Sequence, residues 1–156
     1  MFGLFKRKER KIVAPVDGRV VDITEVPDEV FAQKLAGDGV AIEPASELFC
    51  APISGEVIKL FETGHAFVIR SDKALEVMVH IGLETVSLGG KGFEKLVAQG
   101  AQVEVGEPIV KADLAYLRSE GRPTITPVVV SEESDVKEMT KHLRIVKQGD
   151  IVMEVK

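Results

Sequence analysis

The chain is poor in sulfur and in aromatic rings. Its 156 residues include one cysteine, Cys50, one tyrosine, seven phenylalanines and no tryptophan. A single thiol makes no internal disulfide, and with no export signal a reducing cytoplasm is the expected compartment. So few ring faces give nucleic-acid bases little to stack on. No apolar run approaches the roughly 20 residues of a membrane-spanning helix. The opening Met1–Lys8 places its charge after its apolar residues and has no apolar stretch of the kind a signal peptide needs.

What is present is a hydrophobic share of 45%, enough for a sizeable core and too much for a disordered chain. The length suits one domain or two very small ones. Charge is unevenly spread. Lys6, Arg7, Lys8, Arg10 and Lys11 against Glu9 give +4 before Ile12, so a chain of net charge −5 carries −9 in its remainder. Such a body disfavours nucleic acid and favours a basic partner. Residues 1–11 read as a flexible basic tail, with Phe2, Leu4 and Phe5 available for weak peripheral contact with anionic lipid. Residues 12–156 read as a single domain, because no linker divides them.

The body repeats itself. Val13-Ala-Pro-Val-Asp-Gly18 matches Cys50-Ala-Pro-Ile-Ser-Gly55, and the match continues to Glu25 and Glu62. Each copy then reaches a glycine and an apolar run, Gly37–Glu43 and Gly64–Arg70. A looser echo joins Val103–Val110 to Val146–Val155. Short β-rich runs punctuated by Ala-Pro pairs and glycines predict an all-β, antiparallel sandwich or barrel with internal duplication. Three short helices are expected within it. Asp28 caps Glu29–Ala36, Phe93–Gln99 lies between glycines, and Asp113 caps Leu114–Glu120.

The most informative stretch is 63–82. His65–Arg70 and Leu75–Ile81 alternate as strands, and Ser71–Ala74 between them reads as a four-residue hairpin loop. That loop sets Arg70 opposite Leu75 and His65 opposite His80, with Cβ atoms roughly 5 Å apart. Alternation then assigns Ala66, Val68, Leu75, Val77, Val79 and Ile81 to the core. His65, Phe67, Ile69, Glu76, Met78 and His80 fall on the other face. Register is the sensitive step, since a slip of one residue exchanges the faces.

Two imidazoles on one exposed face have three readings. A neutral ring, with an ordinary pKa of about 6.5, can attack phosphorus while its neighbour donates an N–H to the phosphoryl oxygens. A metal would need at least one further ligand, which the nearby sequence does not offer, so no intrinsic metal site is expected. The third reading is two surface histidines without a role. Separately, Asp72-Lys73-Ala74 at a hairpin tip resembles the turn on which lipoyl domains display a lysine for acylation. The flanking residues do not continue that pattern, and a solvated turn lysine accounts for Lys73.

Several motifs together carry a resemblance. Val26-Pro-Asp-Glu-Val-Phe31, Gly37–Ile42, Phe61-Glu-Thr-Gly-His-Ala-Phe67, Val79-His-Ile-Gly-Leu-Glu-Thr-Val86, Gly92-Phe93, Val103-x-Val-Gly106 and Thr126-Pro-Val-Val129 occur in order. From about Ile12 to the C-terminus the chain closely resembles the glucose-type enzyme IIA component of the bacterial phosphoenolpyruvate:sugar phosphotransferase system. That family is an antiparallel β-sandwich with no bound cofactor. The resemblance implies that His80 accepts a phosphoryl group from the histidine-phosphorylated carrier protein HPr and passes it to the IIB domain of a sugar permease. It implies that His65 steadies the group, that Thr63 supplies a nearby hydroxyl, and that the Gly82 carbonyl orients the His80 ring. Phe31, Phe61, Met78 and Val86 match an apolar ring for partners, and Asp28 and Glu84 match acids that meet partner arginines.

In some relatives the unphosphorylated protein also docks on permeases or kinases as a regulator. A partner's carboxylate could there complete a zinc site with His65 and His80. Gly64 and the N-terminal tail depart from the family pattern, and His142 matches nothing functional. The absence of a preceding permease domain fits a free-standing component or a piece of a fused permease.

Overall fold

The computed structural model describes residues 10–72 and 74–156. Fourteen short strands dominate it. In chain order these are β1 (Arg10–Val13), β2 (Gly18–Asp22), β3 (Asp38–Pro44), β4 (Leu48–Cys50), β5 (Gly55–Leu60), β6 (Ala66–Arg70) and β7 (Glu76–His80). They continue as β8 (Phe93–Lys95), β9 (Gln102–Val103), β10 (Pro108–Ala112), β11 (Thr126–Val130), β12 (Met139–Lys141), β13 (Ile145–Val146) and β14 (Ile151–Val155). Two short α-helices, α1 (Glu29–Ala32) and α2 (Leu114–Ser119), and two 3-10 turns, Ile23–Glu25 and Thr85–Leu88, complete the regular structure of the described residues.

Eight strands form one antiparallel sheet in the order β13-β2-β3-β11-β7-β6-β5-β9, and two three-stranded sheets run β1-β14-β12 and β4-β10-β8. The large sheet reads the same from either end once β13 is equated with β9, β2 with β5, β3 with β6 and β11 with β7. The small sheets correspond in the same way. This is the duplication read from the sequence, and backbone bonds repeat it. Val13 N–H donates to Pro52 O at 3.0 Å, while its counterpart Cys50 N–H donates to Pro15 O at 2.8 Å. Ala14 N–H reaches Asp150 O at 2.7 Å, and Ala51 N–H reaches Glu107 O at 2.8 Å. Asp17 accepts from Gln148 N–H at 2.7 Å just as Ser54 accepts from Val105 N–H at 2.8 Å.

The repeated glycines have a steric cause. A Cβ at Gly18 would lie 2.2 Å from the Glu43 carbonyl oxygen, and one at Gly55 would lie 2.1 Å from that of Arg70. Each glycine lets its strand run against the neighbouring backbone where no side chain fits.

One face of the large sheet packs on the small sheets to make the main core, where Phe49, Phe67, Ile69, Val77, Val79 and Ile109 are fully buried. The opposite face carries a second cluster: Ile23, Val26, Phe31, Ala41, Leu83 and Val129, with Met78 half-buried beside them. Helix α1 covers this cluster. It begins where expected, with Asp28 Oδ1 accepting from Val30 N–H at 2.9 Å, but it is only four residues long. Lys34 turns left-handed at φ 61° and ends it before the expected Ala36. Helix α2 starts on Asp113, as the sequence predicts, with Tyr116 N–H donating to Asp113 Oδ1 at 3.0 Å.

The third expected helix, 93–99, is not formed. Phe93–Lys95 is strand β8, pairing with β10 so that Lys95 lies opposite Val110. The ladder to β10 and the packing of Phe93 and Val97 on the core outweigh the local helical spacing. Arg10 and Lys11, assigned to the tail from the sequence, belong to β1 and lie opposite Val155 and Glu154. Residues 1–9, and with them the lipid contact expected of Phe2, Leu4 and Phe5, lie outside the described residues. Among the described residues no helix is long and apolar enough to cross a membrane.

One ion cluster ties the edge strand β12 to the large sheet. Lys141 Nζ lies 2.7 Å from Asp22 Oδ1 and 2.8 Å from Asp38 Oδ1. Burial pushes the Asp22 pKa up, but hydrogen bonds from Lys141 and Thr24 outweigh it and hold the value at about 2, below the ordinary 3.8. A carboxylate held below its unfolded pKa stabilises the fold fully above about pH 4 and loses that contribution as pH falls toward about 2. Urea titrations should therefore show stability falling between pH 4 and pH 2 more steeply in the parent protein than in Asp22→Asn. Gly55→Ala should cost about 2–4 kcal/mol, the range of a backbone collision in a packed sheet. Its repeat-mate Gly18→Ala should cost a similar amount in the same denaturation assay.

Candidate functional site

Strands β6 and β7 form the expected hairpin, but the register differs by one residue. Ala66 lies opposite His80 and Arg70 opposite Glu76. The loop is the cause. Ser71 N–H donates to Leu75 O at 2.9 Å, Ala74 N–H donates to Ser71 O at 3.0 Å, and Ala74 is left-handed at φ 60°. That is a three-residue loop with a bulge residue, where four residues were expected. The shift corrects the faces of β6: Phe67 and Ile69 are in the main core, and Ala66 and Val68 share the face of His80. On β7 the expected faces hold, with Val77 and Val79 in the core.

The two imidazoles still meet. His65 lies just ahead of β6, and its carbonyl accepts from Ile81 N–H at 2.7 Å, which places it beside the end of β7. The His65 and His80 ring centroids are 4.9 Å apart with planes at 82°. His65 is buried, with 3% of its surface exposed, whereas His80 is half-buried. Burial lowers the His65 pKa from 6.5 to about 4, with the neighbouring His80 acting in the same direction. Burial also lowers the His80 pKa, against opposing effects of its bond to Gly82 and the nearby charge of Asp28. Both rings are therefore neutral at pH 7.

Neutrality gives the hydrogen bonds a definite meaning. His80 Nδ1 lies 2.7 Å from Gly82 O. A carbonyl only accepts, so Nδ1 carries the proton and Nε2 keeps its lone pair. On the other ring, His65 Nδ1 bonds the Thr63 hydroxyl. If that hydroxyl donates, His65 Nε2 bears an N–H. One ring then offers a nucleophilic nitrogen and the other a donor, at right angles in a wall of low polarity.

That wall is aromatic and aliphatic. The Phe31 ring lies 5.1 Å from His80 and the Phe61 ring 5.1 Å from His65. Phe31 is buried, so it is a packed side of the site, while Phe61 and Met78 are half-buried. Val86 is 54% exposed and Glu84 is exposed, both on the turn after Gly82. Asp28 is half-buried and caps α1 while its charge acts on His80.

Gly82 has φ 73°, and a Cβ there would lie 2.7 Å from Pro123 O and 2.8 Å from Thr85 Cγ2. All ten residues assigned to the site from the sequence thus lie on α1 and its cap, on the turn between β5 and β6 that carries Phe61, Thr63 and His65, on β7, or on the turn that follows it.

Other residues matter that the sequence reading left unassigned. Fully buried Thr85 donates its hydroxyl to Ile81 O at 2.6 Å, and Leu83 N–H donates to Pro123 O at 3.0 Å. The signal for Thr85 was its place within the Gly-Leu-Glu-Thr-Val stretch; for Pro123 there was none. Among the described residues no three His, Cys, Asp or Glu side chains converge to hold a metal. Cys50 is buried, and burial pushes its thiol pKa up, so it is not a reactive nucleophile. His142 bonds Glu154 at 2.9 Å, far along the chain from the histidine pair. Lys73, the candidate for acylation, lies outside the described residues.

Known proteins resemble this chain in sequence and in fold. Residues 10–136 match the sequence model for the phosphoenolpyruvate-dependent sugar phosphotransferase system, EIIA 1. The chain is 44% identical over 142 residues to the glucose-specific EIIA component of Buchnera aphidicola subsp. Baizongia pistaciae, covering 91% of this chain and 84% of that protein. It is 45% identical over 142 residues to the N-acetylglucosamine-specific EIICBA component of Escherichia coli K12, of which it spans only 21%. The solved glucose permease IIA of Mycoplasma capricolum superposes with a TM-score of 0.89 at 38% identity, covering 96% of this chain and 97% of that one. The chain belongs to the EIIA 1 family of the phosphoenolpyruvate-dependent sugar phosphotransferase system and is a phosphoryl-carrier component of it.

Proposed function

We propose that His80 is the phosphoryl acceptor, reacting through Nε2, and that His65 holds the phosphoryl oxygens without bonding phosphorus. The observation that carries this reading is the bond from His80 Nδ1–H to Gly82 O at 2.7 Å on a ring that burial keeps neutral. It leaves one nitrogen, Nε2, able to attack. As the new N–P bond forms, the ring gains positive charge, which the Gly82 carbonyl offsets at Nδ1. In the donor the old N–P bond breaks and its electron pair stays on the donor nitrogen. The donor is the phosphohistidine of HPr. The acceptor is a cysteine thiolate on the IIB domain of a sugar permease: its sulfur takes the phosphoryl group, and the His80 N–P bond breaks to restore the neutral ring. His65, polarised by the Thr63 hydroxyl, contributes an N–H toward the equatorial oxygens, where transition-state charge resides.

The surroundings fit partners of that kind. Asp28 and Glu84 give the rim negative charge suited to arginines, and Val86 adds exposed apolar surface. Half-buried Phe61 and Met78 complete a shallow apolar seat that excludes water once a partner docks. In this reading the reaction requires no metal or organic cofactor, and the exchange with HPr takes place in the cytoplasm.

Phosphoenolpyruvate with the general proteins of the system should label the parent chain on His80. His80→Ala should take no label. His65→Ala should still accept phosphate but pass it to a IIB domain about 100-fold more slowly, the scale of one lost oxyanion donor. Label that persists in His80→Ala would overturn the assignment. The pH profile gives a second check. Because the His80 pKa is lowered, acceptance should stay level from pH 8 to about 6.5 and decline only at lower pH, as Nε2 takes up a proton.

A further inference from the structure

The bond between His80 and Gly82 depends on a turn that its own bond from Thr85 to Ile81 O holds only at the ends. Gly82 at φ 73° and Glu84 at φ 57°, ψ 24° are both left-handed. Glycine adopts that conformation readily, whereas a glutamate does so only when something holds it there. No side chain caps the short helical turn Thr85–Leu88 that follows.

Arg122 supplies the restraint. Its Nε–H donates to Glu84 O at 3.1 Å, and its Nη2–H donates to Ser87 Oγ at 2.9 Å. The Ser87 hydroxyl donates in turn to the same Glu84 carbonyl at 2.8 Å. Three bonds thus close a ring, and two donors occupy the Glu84 oxygen. A fourth bond, from Nη1 to Glu120 O at 2.9 Å, anchors the guanidinium at the C-terminal end of α2. The next residue, Pro123, accepts from Leu83 N–H at 3.0 Å, so the segment 122–123 grips the turn at two successive residues. None of the three acceptors of the guanidinium is a carboxylate. The side chain works through the fixed fork of its donors, which a lysine cannot reproduce.

We propose that Arg122 is a positioning residue for phosphoryl transfer: through Ser87 and the Glu84 carbonyl it keeps the Gly82 carbonyl under His80 Nδ1 and so selects Nε2 as the nitrogen that takes phosphorus. Released from this clamp, Glu84 relaxes toward right-handed φ and the peptide planes from Gly82 to Glu84 rotate. Gly82 O then leaves Nδ1, the neutral ring exchanges tautomers, and Nδ1 competes as nucleophile. The inference rests on His80 being the acceptor.

The test measures phosphorylation by HPr, the His80 tautomer by ¹⁵N NMR, and the position of phosphorus on the ring. Arg122→Ala should slow acceptance about tenfold, within the range expected when reacting groups are misplaced by a fraction of an ångström. It should also populate the Nε2–H tautomer and put part of the phosphoryl group on Nδ1. Exposed Ser87→Ala should move all three readouts the same way by a smaller amount, and it decides the matter if Arg122→Ala does not fold. Arg122→Lys should recover less than half of the lost rate.

A single Nδ1–H tautomer with rates within twofold of the parent in both alanine variants would overturn the proposal. So would full rescue by lysine, which would assign the effect to charge. Label on a residue other than His80 in the parent protein would instead overturn the acceptor assignment beneath it.

Discussion

A single hydrogen bond, from the imidazole of His80 to the carbonyl of Gly82, sets the chemical character of the candidate site. An imidazole in water exchanges its proton between two nitrogens and is partly charged near neutrality. Here burial removes the charge and the carbonyl removes the exchange. What is left is a ring with one defined lone pair. Much of the local structure serves that arrangement. Gly82 has no room for a side chain, Thr85 is tied back to Ile81, and Leu83 is tied to Pro123.

The two histidines are treated differently by the fold. His65 is almost wholly buried, and burial lowers its pKa to about 4, so it stays neutral well into acid. His80 keeps part of its surface open. The acceptor role proposed for His80 needs both conditions, because the group must reach the ring while water is mostly kept from it. The site therefore sits at the end of a strand on the outer face of the large sheet, roofed on one side by Phe31 and walled on the other by Phe61. The main core lies on the opposite face and supplies rigidity without taking part.

The all-β architecture and its duplication were legible because Ala-Pro and Gly recur where backbones approach too closely for a side chain, as at Gly18 and Gly55. The caps at Asp28 and Asp113 were legible for an equally local reason. The pairing of His65 with His80 was reached by a register one residue out. Periodicity reports which side chains alternate, but the loop length depends on one alanine adopting a left-handed φ, and nothing in Ser-Asp-Lys-Ala announces that.

The segment 93–99 was misread because spacing sees the chain alone, whereas β8 exists through its ladder with β10. Phe31, His65, His80 and Gly82 stand out by their motifs. The supports at Thr85 and Pro123 act through the backbone, which residue identity conceals.

The first strand has its partner at the far end of the chain. Strand β1 pairs with β14, the strand that ends at Val155, while β2 is flanked on one side by β13. The half of the molecule begun first is therefore finished last. The second half, from β4 to β10, can close while the remainder is still being made. On a ribosome, where roughly 5–20 residues are added each second, β1 has to wait several seconds for its neighbour. Short, charge-flanked and only four residues long, it presents little edge for another nascent chain to join in the meantime.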